Sequence, residues 1–358
     1  MRHMKKKWTC LVLVGMFFCL TGCSKQELEK SSYPMAILLD RAEDEQLSVT
    51  FLFPDLAEKA DQKTEKNEVA MVTIEASDLY GAIKTWKQDQ DHTLDCNHVK
   101  ALILGSDFLK NTSQVKKLLQ YIKKEDVLAR NVLLFESDDC EALKEQTNGL
   151  TTSLGEYLEG MVENQTEMKA TATITLGTLL NQMYNQNETI FLPVLRAKEK
   201  GIFIDAYRTI QRFYPGELLT TEQQQVVSLL NDQRKKFSYR MPDGSAFELR
   251  HIRLRYQMDE KQDTLKQHLL LTADAVSMSK ELPVGKKLKR ECTVAESTVR
   301  TMLIRVTKEL KASDIEPTNS FLRLGAKNRA AYKKYKDRPA EYEKEVDTSY
   351  EVRLALVR

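Results

Sequence analysis

The chain predicts a mixed α/β (α+β) fold of three domains, each a β-sheet with packed helices, behind an N-terminal signal peptide. Three observations predict it. Apolar, β-branched or leucine-rich runs such as "MAILLD", "LSVTFLF" and "VKALILG" alternate with segments whose apolar residues recur at the helical period. The 358 residues exceed what one core usually organises. With 42% hydrophobic and 30% charged residues, the chain has the balance of a globular protein.

The signal comes first. Arg2, His3, Lys5, Lys6 and Lys7 precede an apolar run from Trp8 to Leu20, the order of a secretory signal peptide. The run is shorter than the ~20 residues of a bilayer-spanning helix, and Lys25, Glu27 and Glu29 follow soon after, so no lasting transmembrane anchor is expected. Leu20-Thr21-Gly22-Cys23 resembles the lipobox of bacterial lipoproteins, where a branched aliphatic and two small residues precede an obligatory cysteine. Only a thiol can take a diacylglyceryl group as a thioether, and small residues at 21 and 22 give the signal peptidase access to the bond before Cys23. Cys23 is therefore the expected lipidation site, carrying a diacylglyceryl and an N-acyl lipid, with no other cofactor and no metal. Two acyl chains at ~0.8 kcal/mol per buried methylene anchor stably where one is marginal. An unlipidated signal peptide with a chance cysteine is the alternative.

Loss of residues 1–22 removes Arg2, Lys5, Lys6 and Lys7, leaving 50 basic against 52 acidic residues. The processed chain thus lacks the basic excess of a dedicated nucleic-acid binder. Cys10 and Cys19 leave with the signal. Cys96, Cys140 and Cys292 remain, without C-x-x-C spacing, so neither a disulfide scaffold nor a zinc site is indicated. Buried free thiols are expected, and a single disulfide among the three stays open.

Residues 23–34 read as a lipidated tether, and 35–170 as an N-terminal α/β domain. After the two strands "MAILLD" and "LSVTFLF", the polar "LAEKADQKTEKNE" is a surface loop and "MVTIEA" a strand. Ser77 or Asp78 caps a helix with Leu79, Ile83 and Trp86 on one face, and "VKALILG" is a buried strand. Thr112 or Ser113 caps the next helix, whose stripe is Val115, Leu118, Leu119 and Ile122; "NVLLFES" returns as a strand. Residues 153–184 are mainly helical.

A middle domain, 171–236, contains "TIFLPVL", "GIFIDAYRTIQRF" and a glutamine-rich helix to Leu230 capped by Thr220 or Thr221. The C-terminal mixed α/β domain, 237–358, opens with strands around Pro242-Asp243-Gly244. In the second of these, Ile252, Leu254 and Tyr256 alternate with Arg253, Arg255 and Gln257, a strand with one wet face. A further strand over 265–276 extends the meander. Thr293 and Glu296 form a T-x-x-E capping box that starts a long helix with Val299, Met302, Leu303, Val306 and Leu310 buried. A basic helical stretch and the strand "YEVRLALVR" close the chain.

Catalytic signatures are missing. The sequence contains no H-E-x-x-H, G-x-S-x-G, G-x-G-x-x-G or G-x-x-x-x-G-K-[ST]. His92, His98, His251 and His268 lack metal-ligand spacing. Asp138-Asp139 reads as a helix cap and Asp259-Glu260 as a solvated turn, so no catalytic residue is nominated and no enzyme activity is expected. The stretch "KNRAAYKKYKDRPAEYEKE" interleaves Tyr332, Tyr335 and Tyr342 with Lys327, Arg329, Lys333, Lys334, Lys336 and Arg338. It reads as a solvated helix with its tyrosines on the sheet, the alternative being contact with anionic lipid.

Together these patterns resemble the Ger(x)C family, the lipoprotein C subunits of spore germinant receptors. "TIEASDLYGAIKTWKQDQDHTLDCNHVKALILGSDFL" is similar to the family's helix followed by a strand ending in glycine, with His98, Lys100 and Gly105 at the matching places. "FLPVLRAKEKGIFIDAYRTI" is similar to its L-P segment and strand pair, here Leu192, Pro193 and Gly201. The long helix, basic helix and last strand follow the family's C-terminal order. Members often carry Trp-Asp after the lipidated cysteine and Gly-x-Asp closing the first strand; this chain has Ser24-Lys25 and Leu38-Leu39-Asp40. The resemblance implies a non-catalytic subunit lipid-anchored to the outer face of the cytoplasmic (inner spore) membrane. Its partners would be a multi-pass A-type and a transporter-like B-type subunit, in a complex answering small nutrient germinants. His98 would be structural. A solute-binding lipoprotein serving a transporter is the alternative, and an extracytoplasmic hydrolase a third.

Overall fold

The computed structural model describes residues 31–54, 71–167, 174–182, 189–199, 201–211, 213–231, 236–258, 265–315, 317–318 and 320–357. The first part of the chain forms β1 (Ser31–Ser32), β2 (Ala36–Arg41), β3 (Leu47–Leu52), β4 (Met71–Ala76), α1 (Leu79–Asp89), β5 (Thr93–Leu94) and β6 (Ala101–Gly105). It continues with α2 (Ser106–Lys110), α3 (Thr112–Glu125), β7 (Leu133–Ser137), α4 (Cys140–Thr147), α5 (Leu154–Glu167) and α6 (Leu176–Gln182). Next come β8 (Ile190–Lys198), β9 (Gly201–Gln211), β10 (Tyr214–Thr220) and α7 (Thr221–Leu230). The last part holds β11 (Lys236–Arg240), β12 (Ala246–Met258), β13 (Lys266–Ser277), α8 (Lys286–Ala312), α9 (Ser320–Lys327), α10 (Arg329–Tyr335), α11 (Pro339–Glu345) and β14 (Asp347–Val357). This is the mixed α and β architecture, with several sheets and packed helices, that the sequence predicts.

The main sheet has eight strands in the order β10-β9-β8-β7-β6-β2-β3-β4. Its centre, β2, β6, β7 and β8, is parallel, with antiparallel strands on both flanks. Parallel strands need crossovers, and helices cover both faces; this is why β2 and β6 read as continuous apolar runs rather than alternating ones. Neighbouring residues divide between the faces. Ile37, Leu39, Leu102 and Leu104 pack with α1, α3 and α6, while Ala36, Leu38, Ala101, Ile103 and Phe135 pack with α4 and α5. The strands of the expected middle domain continue this sheet, joined to β7 through only two register pairs, Glu136 with Val194 and Ser137 with Leu195. The end of the expected tether is also structured, since Ser31 and Ser32 pair in parallel with Thr93 and Leu94.

The second sheet has the order β11-β12-β13-β14, antiparallel except for β13 beside β14. Helices α7 and α8 pack on it through Val226, Val227, Leu230, Val299, Leu303, Val306 and Leu310, and Phe191, Tyr207 and Leu219 of the main sheet join the same core. The opposite face of β12 is wet, with Arg253, Arg255 and Gln257 exposed as their alternation requires.

Helix starts follow side-chain chemistry. The Asp78 carboxylate accepts from the Gly81 N–H at 2.8 Å and Asp139 from Ala142 at 2.9 Å, each capping as expected. At α7 the choice falls on Thr220, in a reciprocal capping box with Gln223. At α3 neither Thr112 nor Ser113 caps. Asn111, a residue earlier, accepts from Gln114 at 3.2 Å, its amide oxygen being as good a cap as any hydroxyl.

The T-x-x-E signal of Thr293 and Glu296 does not start the long helix. Helix α8 begins at Lys286 behind Gly285, whose φ of 66° lies in the region glycine tolerates best. Thr293 sits two turns inside, donating to the Lys289 carbonyl at 3.2 Å, and Glu296 instead accepts from the Leu354 N–H of β14 at 3.0 Å. Glu296 thereby occupies a backbone group on the outer edge of the second sheet, a position otherwise open to strand pairing.

Candidate functional site

Parallel strands gather their chemistry at their carboxyl ends. Here β2, β6 and β7 end beside one another at Asp40, Gly105 with Ser106, and Glu136 with Ser137. Glu136 is fully buried. The Arg208 guanidinium of β9 grips it from two nitrogens, Nε at 3.1 Å to Oε2 and Nη2 at 2.9 Å to Oε1, and the Ser106 hydroxyl donates to Oε1 at 2.6 Å. Arg208 Nη1 donates in turn to the Gly216 carbonyl of β10 at 2.9 Å. Both carboxylate oxygens of Glu136 are thus engaged. The arrangement is a clamp that ties β7 to β9 and β10 across the two-pair junction with β8. Around it lies a more exposed network: Arg196 contacts Asp138 at 3.1 Å and Asp205 at 3.3 Å, and Lys198 meets Asp205 at 3.1 Å. Exposed pairs of this kind contribute about 0–1 kcal/mol each.

Asp40 explains Gly105. A Cβ at position 105 would stand 2.2 Å from Asp40 Oδ1, so any larger residue there must displace this carboxylate. The Asp40 side chain also accepts from the Arg41 N–H at 2.8 Å. Cys140 lies alongside, and burial, with the neighbouring Asp40 charge, pushes its thiol up. Burial, with the Asp95 charge behind it, pushes Cys96 up to about 12. Cys292 is raised by burial and by Glu296, and its thiol donates to the Leu354 carbonyl at 3.0 Å. All three cysteines are free thiols.

The histidines are dispersed. His98 sets its ring edge-on to Tyr33 at 5.1 Å between centroids, just before β6, while Lys100 pairs with Glu159 of α5 at 3.1 Å. His92 contacts Asp91 at 2.5 Å, and its carbonyl accepts from the Trp86 indole at 2.9 Å. His251 faces Asp274 at 2.8 Å, and His268 lies between Ser349 and Glu351 at 2.9 and 3.2 Å. Among the described residues no group of three or more His, Cys, Asp or Glu side chains could hold a metal ion.

The basic and aromatic stretch near the C-terminus folds differently from the expectation. It is two short helices, α10 and α11, following directly on α9, rather than one, and its tyrosines do not lie on the sheet's main core. Tyr335 and Tyr342 are buried with Phe321, Leu324 and Val346 in a core of their own, and Tyr332 packs against it. Phe321 stacks on Tyr332 at 5.1 Å and Tyr335 meets Tyr342 at 5.7 Å. Its aromatic rings are thus spent on packing. Exposed apolar and basic side chains collect instead at the β13–α8 connection, which sequence reading passed over because the Thr293 signal placed the helix start too late. Met278 and Val284 are 58% and 67% exposed, too far for any core contact to explain them. Cys23 and Asp259-Glu260 lie outside the described residues.

Residues 24–197 match the family described as the spore germination protein N-terminal domain. A solved structure described as the crystal structure of the GerBC protein superposes with a TM-score of 0.58 at 14% identity, covering 90% of this chain and 97% of that one. At this identity the likeness carries the fold, including the C-terminal part beyond residue 197. None of the curated proteins matches the chain.

Proposed function

Because the chain is a spore germination protein of the Ger(x)C family, we propose that it is the non-catalytic lipoprotein subunit of a nutrient germinant receptor. In this reading it is held on the outer face of the inner spore membrane by lipid on Cys23, beside a multi-pass A-type and a transporter-like B-type subunit. The observation that carries the reading is a junction in the sequence. The germination domain begins at residue 24, immediately after the cysteine of Leu20-Thr21-Gly22-Cys23. A lipidated Cys23 would set the first paired strand, Ser31–Ser32, only a few residues from the bilayer. Among the described residues no helix is long and apolar enough to cross a membrane, so a covalent anchor is the means of attachment this reading requires.

The clamp at Glu136 fits a subunit that works by shape. Its polar groups are consumed internally, which favours a rigid scaffold offering surfaces over a site that turns over substrate. The test is fractionation of spores carrying Cys23→Ala. Release of the protein from the membrane, loss of palmitate labelling and a germination defect are expected; a variant that stays membrane-bound and keeps its label would refute the anchoring.

A further inference from the structure

The connection from β13 to α8 and the first turns of α8 form an exposed tip at one end of the second sheet, with an unusual make-up. Val284 and Met278 stand well out of the surface, and Val357, at the end of β14, is 41% exposed. The register places Val357 opposite Val276, two residues from Met278, so these side chains share one end of the second sheet. Lys286, Lys287, Lys289 and Arg290 follow, all exposed, and none makes an ion pair among the described residues. No acidic residue occupies the first turn of α8. Lys286, Lys287 and Lys289, in the first turn of α8, oppose the helix dipole, which favours negative charge there, so helix formation gives no reason for them.

The tip itself is firmly built. Lys280 reaches Asp243 of the β11–β12 turn at 2.8 Å and also Glu291 of α8, and Ser277 Oγ donates to the Lys280 carbonyl at 2.5 Å. Lys280 shares its single charge between Asp243 and Glu291, so these three carry a net charge of −1, and Glu281 adds another against the four cations that follow. The Ala246 N–H donates to Ser279 Oγ at 2.8 Å, tying the connection to β12. The exposed apolar residues are therefore presented by a braced loop.

We infer that this tip docks on the anionic surface of a phospholipid bilayer, with Val284 and Met278 entering the headgroup boundary and Lys286, Lys287, Lys289 and Arg290 meeting lipid phosphates. Apolar side chains beside a cluster of basic ones are the combination that binds such surfaces. Three of the four cations are lysines, mobile point charges that need no fixed geometry, which suits the diffuse charge of an anionic bilayer surface. The contact is independent of the Cys23 anchor, and the test omits that anchor so that the two stand or fall separately.

The processed chain without lipid, residues 24–358, contains every described element and is mixed with sucrose-loaded vesicles of phosphatidylcholine alone or with phosphatidylglycerol; bound protein is read after sedimentation. Salt-sensitive binding to the mixed vesicles is expected. Each removed cation weakens it about fivefold, so a Lys286→Gln, Lys287→Gln, Lys289→Gln, Arg290→Gln variant loses about 600-fold. Val284→Ser with Met278→Ser costs about tenfold. Arg253→Gln with Arg255→Gln, a loss of two exposed cations from the wet sheet face, leaves binding within about twofold if location rather than total charge governs it. Equal binding to both vesicle types, an unaffected quadruple variant, or an equal loss from the sheet-face variant would overturn the inference. So would tip variants that weaken capture of a membrane protein while leaving vesicle binding unchanged.

Discussion

Arg208→Met should be among the most damaging single substitutions in the main sheet. Glu136 is fully buried, and Arg208 supplies its charge partner, with two nitrogens on the carboxylate and a third on Gly216. Removing the guanidinium leaves a buried carboxylate with the Ser106 hydroxyl as its remaining side-chain donor. Stranding one member of a buried pair costs about 3–5 kcal/mol, a large part of the 5–15 kcal/mol that holds a typical domain folded. The β7–β8 junction has only two register pairs, so little else compensates there. Glu136→Gln alone should cost less, because the amide oxygen keeps Ser106 partnered and the charge it strands, on Arg208, is partly exposed and keeps the Gly216 carbonyl. Glu136→Met with Arg208→Met should recover most of the loss, as replacing both members of a buried pair by apolar groups often does. Urea unfolding of the wild type, Glu136→Met, Arg208→Met and the double variant in a double-mutant cycle gives the coupling directly. A loss below about 1 kcal/mol for Arg208→Met would show that the clamp is not what joins the two halves of the sheet.

Other substitutions probe the same fold. Gly105→Ala should cost about 1–3 kcal/mol, because the new methyl meets Asp40, and the cost should fall in an Asp40→Ala background; thermal melting of the three variants checks this. Thr293→Ala should change stability by under about 0.5 kcal/mol, since Thr293 lies within α8 and caps nothing, whereas a loss near 1 kcal/mol would mark it as the helix start after all. Cys96 and Cys140 should resist iodoacetamide at pH 8 in the folded protein and react on unfolding: burial removes access and, with Cys96 pushed up to about 12, leaves almost no thiolate. Rapid native alkylation of either would contradict their placement.

The parallel centre of the main sheet was legible in the sequence because strands buried on both faces leave an unmistakable apolar run, as in "ALILG". Amphipathic stripes such as Val115, Leu118, Leu119 and Ile122 were legible for the same reason, since their burial is a local consequence of helical spacing. The join of β8 to β7 was not. It rests on Glu136 and Arg208, which are 72 residues apart and individually look like any surface charge. Capping motifs proved ambiguous where the same residue types had a tertiary use: Glu296 follows Thr293 at capping-box spacing, yet its partner is Leu354 across the sheet edge. The tyrosines of the C-terminal helices misled in a related way, because aromatic rings among lysines read as a surface until three short helices are seen to enclose them. The tip at Val284 and Lys286 became visible only once the true start of α8 was known.

The measurement to make is co-purification of the tagged chain from detergent-solubilised spore membranes, with bound proteins identified by mass. A receptor subunit should bring down one multi-pass A-type and one transporter-like B-type protein together. Recovery of an ABC-type permease in their place, or of the chain alone from vegetative cells, would contradict the receptor assignment and return the protein to the solute-binding alternative.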